Sequence, residues 1–177
     1  FVTGTTGLTD EQKAELCTQV AGDVPVLWAP NMSLGINVLL EISAEVSRML
    51  GFSYDVEIVE AHHRHKEDAP SGTAARIAEV ICQERSLDSS SLTHGREGFT
   101  GERKTREVGM HSVRGGDIVG DHTVLFAGDG ERLELVHRAT SREVFVNGAI
   151  KAARFVVEQP PGFYTMKDVL SCQSPGQ

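Results

Sequence analysis

The residues with the most chemical potential lie in one stretch, Glu57-Ile58-Val59-Glu60-Ala61-His62-His63-Arg64-His65-Lys66-Glu67-Asp68-Ala69-Pro70-Ser71-Gly72-Thr73-Ala74. His62 and His63 are adjacent, with His65 and Lys66 close behind. Histidine gives or takes a proton near neutral pH, and lysine brings a fixed positive charge. Grouped in this way they suit an acid and an electrostatic clamp for an anionic substrate. The same composition also suits a solvated basic loop. A metal site is the weaker reading of three histidines, because no second cluster with ligand spacing accompanies them. Further on, Pro70 fixes the chain's entry, Ser71 offers a capping hydroxyl, Gly72 permits close backbone approach and Thr73 adds a second hydroxyl. A helix starting there would gather N–H groups and the positive end of its dipole, an environment suited to a carboxylate. A plain helix cap would use the same Ser-Gly-Thr.

The elements that must hold this stretch follow from periodicity and turn residues. Tyr54 to Glu60 reads as a strand, and Ser71 opens a helix with Ala74, Ile77, Ala78 and Ile81 on one side. The stretch therefore leaves a strand end and enters a helix start, where α/β proteins place reacting groups. Upstream, Thr9 with Gln12 forms a capping-box signal for a helix to about Ala21, and Val24 to Trp28 reads as a short strand. From Ser33, the positions Leu39, Ile42, Val46, Met49 and Leu50 recur at helical spacing until Gly51. Residues 87–103 read as a long polar loop, with His94, Arg96 and Glu97 solvated. Beyond it, Glu107–Arg114, Asp117–Ala127 and Arg132–His137 read as strands joined by Gly115-Gly116 and Asp129-Gly130, the latter a strong hairpin signal. On these strands His111, His122 and His137 read as sheet or interface residues. A last helix from Glu143 carries Phe145, Ala149, Ala152 and Val156 in register and ends before Pro160-Pro161-Gly162.

The order predicts an α/β protein with two parts. Residues 1–32 and 143–177 form the remnant of a Rossmann-type nucleotide domain, and 33–142 form an α+β substrate and oligomerisation domain with a mixed, largely antiparallel sheet. That sheet has too few helices to cover both faces, and self-association is the common remedy. A net charge of −8 argues against a general nucleic-acid binder. Hydrophobic residues at 40% and charged residues at 24% are ordinary for a globular protein, with no membrane-length apolar run and no signal peptide. Cys17, Cys82 and Cys172 are odd in number and widely spaced, which fits reduced thiols in the cytoplasm rather than a disulfide or zinc framework.

The whole run from Glu57 to Ala74 resembles the signature of the dihydrodipicolinate reductase family. Thr3-Gly4-Thr5-Thr6-Gly7, Ala29-Pro30-Asn31-Met32-Ser33, Ser112-Val113-Arg114-Gly115-Gly116-Asp117-Ile118-Val119-Gly120 and Ala139-Thr140-Ser141-Arg142 resemble further family segments. The resemblance implies an NADH- or NADPH-dependent oxidoreductase of lysine (diaminopimelate) biosynthesis, reducing 4-hydroxy-tetrahydrodipicolinate to tetrahydrodipicolinate as a homotetramer. It assigns His62 as general acid and Lys66 as partner of a substrate carboxylate, with His63, Ser71, Gly72 and Thr73 completing a dicarboxylate pocket. Gly4, Thr5 and Thr6 would lie against the nicotinamide, Asn31 and Met32 beside the cofactor at the hinge, and Arg142 near the same hinge. No metal, membrane or nucleic acid is implied.

The family's glycine-rich dinucleotide turn is not among these residues, and the chain opens at Phe1-Val2-Thr3-Gly4, as a strand running into a turn. The expectation is a piece of a longer protein lacking about a hundred residues, which by itself binds NADH weakly and turns over poorly. The alternative is a non-catalytic oligomerisation or dicarboxylate-binding module without a nucleotide half. A different Rossmann-type dehydrogenase is disfavoured, because the His-His-x-x-Lys to Ser-Gly-Thr unit is not generic.

Overall fold

A computed structural model describes residues 1–172; the last five positions of the expected 143–177 segment lie outside the described residues. The chain forms two compact units, Phe1–Val38 with the residues from Arg142 onward, and Leu39–Ser141.

The first unit holds a parallel sheet of β1 (Val2–Thr3), β2 (Pro25–Trp28) and β8 (Gly162–Tyr164), with β2 in the middle. Helix α1 (Asp10–Glu15) starts on the expected capping box: the Thr9 Oγ1 accepts from the Gln12 N–H at 3.2 Å, and the Gln12 side chain accepts from the Thr9 N–H at 2.9 Å. It continues as a wider π-helical turn, Leu16–Val20. Helices α4 (Glu143–Val156) and α5 (Met166–Ser171) bury Ala152, Val156, Met166 and Val169 with Leu27, Ala29 and Met32 in one core. Gly148 makes that packing possible, since a Cβ there would stand 1.7 Å from the Met32 carbonyl oxygen.

The boundary between the units falls within helix α2 (Leu34–Leu50), which Gly51 ends at φ +57. The buried side of α2 differs from the expected one. Ile36, Leu39, Ser43 and Ser47 are buried, whereas Ile42 and Met49 are exposed. The reason is polar: Arg85, itself 5% exposed, donates from Nε to the Ser47 Oγ at 2.9 Å and from Nη1 to the Tyr54 carbonyl at 2.9 Å. Ser47 is therefore buried against a polar partner, on a side of the helix that the apolar spacing of Ile42, Val46 and Met49 does not mark.

The second unit is a five-stranded sheet in the order β4 (Leu92–His94), β5 (Val108–Arg114), β3 (Asp55–His62), β6 (Gly120–Gly128), β7 (Glu131–Ala139). It is mixed, as expected: β4–β5 and β5–β3 are parallel, and β3–β6 and β6–β7 antiparallel. The hairpin at Asp129-Gly130 joins β6 and β7 as read, with Gly130 at φ +81. Gly115-Gly116 does not make a hairpin, because β3 lies between the strands it connects. Residues 87–103 are also not one long loop; they contain the edge strand β4. Arg96 and Arg103 are held rather than solvated, both bonded to the Glu57 carboxylate.

Helix α3 (Gly72–Glu84) buries Ala74, Ile77, Ala78, Ile81 and Cys82, packing on β3 and β5. The face it covers carries Val56, Ile58 and Glu60 from β3, Val108 and Met110 from β5, and His122, Val124 and Phe126 from β6, all buried. The other face stays half-exposed, with Val59, Val113 and Val136 at 37%, 48% and 43%.

Candidate active site

On β3, alternation puts Glu60 and His62 on the same covered face, two residues apart. The strand runs two residues further than read from sequence, so His62 is its last residue rather than part of the following loop. The His62 Nδ1 lies 2.6 Å from the Glu60 Oε2, and the imidazole is 12% exposed. At Gly120, opposite the ring, an added Cβ would stand 3.0 Å from the His62 Nε2, so this glycine leaves that nitrogen clear.

Glu60 is fully buried, and its charge is met by converging donors. Arg114 donates to both carboxylate oxygens at 2.8 Å, and the Ser71 N–H donates to Oε1 at 3.2 Å. Burial pushes the Glu60 carboxyl up, but hydrogen bonds from Arg114, His62, Ser112 and the Ser71 backbone outweigh it and hold the group at about 2.

The same arrangement engages the helix start. Ser71 caps α3 as read, its hydroxyl accepting from the Ala74 N–H at 3.2 Å. Its N–H, however, serves Glu60 from within the fold, and its Oγ lies 3.2 Å from the His122 Nε2. Ser71 is 2% exposed, whereas at Gly72 an added Cβ would meet nothing within 4 Å. Thr73 follows in the first turn.

His122 stands edge-on to His62 with ring centroids 5.3 Å apart. Burial, and then the neighbouring His62, push the His122 imidazole down to about 4, so it is neutral near pH 7. Its cross-strand neighbour on β7 is His137, whose imidazole burial also lowers. His111 lies in a separate cluster and hydrogen-bonds Glu57 at 2.7 Å.

The loop between β3 and α3 carries the remaining cations. Lys66 Nζ pairs with both Asp68 oxygens, at 2.8 and 2.9 Å, and Asp68 is largely exposed. Arg114 also donates to the Asp68 carbonyl at 2.7 Å, tying this loop to Glu60. The His63 and His65 ring centroids are 6.2 Å apart, and the His63 Nδ1 is buried without a hydrogen-bond partner among the described residues. His62, His63, Lys66, Ser71, Gly72 and Thr73 thus belong to one strand end, its loop and the next helix start. Among the described residues no group of three or more His, Cys, Asp or Glu side chains is arranged to hold a metal ion.

The expected cofactor residues lie in the first unit. Gly4, Thr5 and Thr6 follow β1 as an exposed loop, and Asn31 and Met32 follow β2. Parallel β1 and β2 send both segments off the same sheet edge, the edge where open α/β sheets bind ligands. Asn31 is held by its neighbours, its Oδ1 accepting from the Ser33 N–H at 2.9 Å and its carbonyl from the Asn37 Nδ2 at 2.9 Å. The Met32 side chain is in the core, so only its backbone is suited to a ligand. Arg142 is exposed at the N-cap of α4.

Sequence reading missed Glu60, Arg114 and His122 as site residues. Glu60 had a usable signal: a carboxylate on the buried parity of Val56 and Ile58, two positions before His62. Arg114 and His122 reach the site only through strand pairing, since Arg114 is opposite His62 on β5 and His122 opposite Glu60 on β6.

Residues 35–170 match the family model described as "Dihydrodipicolinate reductase, C-terminus". The chain is 51% identical over 171 residues to a 4-hydroxy-tetrahydrodipicolinate reductase of Geotalea uraniireducens, covering 96% of this chain and 64% of that protein. It is 53% identical over 172 residues to the protein of the same name from Syntrophobacter fumaroxidans, again covering 96% and 64%. Among solved structures it is similar to the dipicolinate-bound dihydrodipicolinate reductase from Paenisporosarcina sp. TG-14. That likeness has a TM-score of 0.67 and 30% identity, and covers 93% of this chain and 62% of the other. The chain therefore spans about 64% of the length of the curated relatives it matches.

Proposed function

The chain belongs to the dihydrodipicolinate reductase family, and from that premise we propose that it is the substrate-binding and proton-donating part of a 4-hydroxy-tetrahydrodipicolinate reductase. The full protein would reduce 4-hydroxy-tetrahydrodipicolinate to tetrahydrodipicolinate in lysine (diaminopimelate) biosynthesis. In that reaction one hydride and one proton are added to the substrate and water is lost. A reduced nicotinamide, NADH or NADPH, supplies the hydride. The setting that suits a biosynthetic reaction drawing on this pool is the cytoplasm.

The observation that carries this reading is the seat of His62. Its Nδ1 is anchored on a buried carboxylate at 2.6 Å, and a glycine leaves Nε2 clear. A histidine held in this way is suited to deliver a proton from Nε2 to the substrate ring. Lys66 would exchange the exposed Asp68 for a substrate carboxylate, a swap of low cost because a partly exposed pair contributes little. His63, Gly72 and Thr73 would complete the dicarboxylate pocket, with Ser71 acting through its neighbours rather than by its N–H. The dipicolinate in the related solved structure supports a planar dicarboxylate as the ligand class.

Gly4, Thr5, Thr6, Asn31, Met32 and Arg142 are the residues of this chain we assign to the cofactor. Exposed loops leaving one edge of a parallel sheet fit a nicotinamide. Accordingly 1–32 and 143–177 would belong to the nucleotide domain, and 33–142 to the substrate domain. The 177 residues alone would bind NADH weakly; micromolar affinity by isothermal titration would overturn this. The half-exposed sheet face fits the homotetramer expected for the family.

The deciding assay uses the full-length protein: substrate-dependent oxidation of NADH and of NADPH, with dipicolinate as competitor. Oxidation of neither cofactor, with dipicolinate still bound, would favour the alternative of a dicarboxylate-binding module.

A further inference from the structure

We infer that Glu60 is a positioning residue: it holds His62 in the tautomer with the proton on Nδ1, and Arg114 locks it in place for that task. This rests on the reading of His62 as proton donor. An ionised carboxylate only accepts hydrogen bonds, so at 2.6 Å the Nδ1 of His62 must carry a proton. Nε2 is then the atom that exchanges protons with a substrate, on the side that Gly120 leaves clear.

Stability alone does not account for this arrangement. A buried carboxylate already paired bidentately with arginine needs no imidazole to satisfy its charge, and an apolar pair would fill the same volume at similar or lower cost. What the arrangement provides is a fixed ring. Glu60 reaches His62 from the same strand, Arg114 holds Glu60 from β5, and the Ser71 N–H holds it from the start of α3. Arg114 also reaches the Asp68 carbonyl, so one guanidinium steadies both the Glu60–His62 pair and the loop bearing Lys66.

The titratable and charged groups around His62 come from every side. Glu60 on its own strand is a carboxylate hydrogen-bonded to its ring, and Arg114 on β5 is a guanidinium paired with that carboxylate. His122 on β6 is neutral and edge-on, His137 on β7 lies behind His122, and Lys66 and Asp68 form an ion pair in the adjoining loop.

Two measurements on the full-length protein test the inference. The first is nitrogen-15 NMR of labelled histidines in the unaltered protein, with His62 assigned by loss of its signals in His62→Gln. Neutral His62 should show a protonated Nδ1 and a bare Nε2; the reverse tautomer would overturn the proposal whether or not the protein is a reductase. The second is the kinetics of Glu60→Gln, whose amide can rotate to face His62 as donor or acceptor. The expected result is a fall of about 100-fold in kcat with KM within about twofold, and an alkaline limb of the kcat profile moved to lower pH. Glu60→Asp should recover part of the rate. An unchanged kcat and pH profile in a folded Glu60→Gln protein would also sink the idea; if that variant does not fold, the NMR result decides. Absence of turnover in the unaltered protein would count against the reductase reading and leave the tautomer result standing.

Discussion

A neutral imidazole packed against another makes the site's response to acid visible in stability. His122 is 3% exposed and lowered from 6.5 to about 4, so between these values the unfolded chain binds a proton that the folded chain does not. Stability from this group is therefore fully present above pH 6.5 and is lost as pH falls towards 4, a change on the order of 3 kcal/mol. Denaturant titrations of the parent and His122→Asn across this range should show the slope in the parent and its loss in the variant; equal slopes would contradict the assignment. Glu60 and Glu57, both held near 2, act in a more acidic window. Their contribution is present above the ordinary carboxylate range and is lost as pH falls through about 2. At the proposed proton donor, His62→Gln in the full-length protein should lower kcat by about 100-fold while KM changes little. Lys66→Ala should instead raise KM as well, because it removes charge offered to the substrate. Steady-state kinetics of the two variants separate these roles.

Among the elements, glycines mark where chain segments approach too closely for a side chain. In the interior of α4, Gly148→Ala would by helix propensity stabilise by about 1 kcal/mol. Here the added methyl meets the Met32 carbonyl at 1.7 Å, and backbone cannot swing aside as a side-chain end does. The expected outcome is destabilisation of roughly 2–3 kcal/mol, read as a lowered Tm by calorimetry; a raised Tm would show that propensity wins. Gly109 serves a related purpose on β5, leaving room for the Glu57 carboxylate that Arg96, Arg103 and His111 clamp. These contacts fix the loop at Arg96 and Arg103, while residues 97–102 between them stay exposed. From sequence Arg96 read as solvated, because polar composition does not distinguish water from a counter-charge on a neighbouring strand.

At the scale of the molecule, the half-exposed face of the sheet is the surface that the proposed homotetramer would use. His111, Val59, Thr123 and Val136 face one another in a row across four strands, with Val113 alongside. Val136→Lys in the full-length protein would put a charge into that row without touching the face that bears Glu60 and His62. If the proposed homotetramer forms through this face, sedimentation should show smaller species than the parent protein gives, with far-ultraviolet circular dichroism unchanged. Retention of the parent's mass would place the subunit contact elsewhere.

The reach of the sequence differs between local and distant features. The Thr9–Gln12 capping box, the Asp129-Gly130 hairpin and the strand-loop-helix carrying His62, Lys66 and Ser71 were legible, because each depends on residues within a few positions of one another. Glu60 was partly legible, through the buried parity of its strand. Arg114 and His122 were not, because 54 positions separate Arg114 from Glu60 and 51 separate His122 from Ser71, and only pairing of β3 between β5 and β6 brings them together. The buried face of α2 was misread for a related reason: Ser47 on that face is met by a distant arginine, Arg85. Sequence alone therefore picked out the residue proposed here as proton donor and the family chemistry it resembles. Tertiary structure decided what holds it, because a buried charge is tolerated only where folding brings its partners around it.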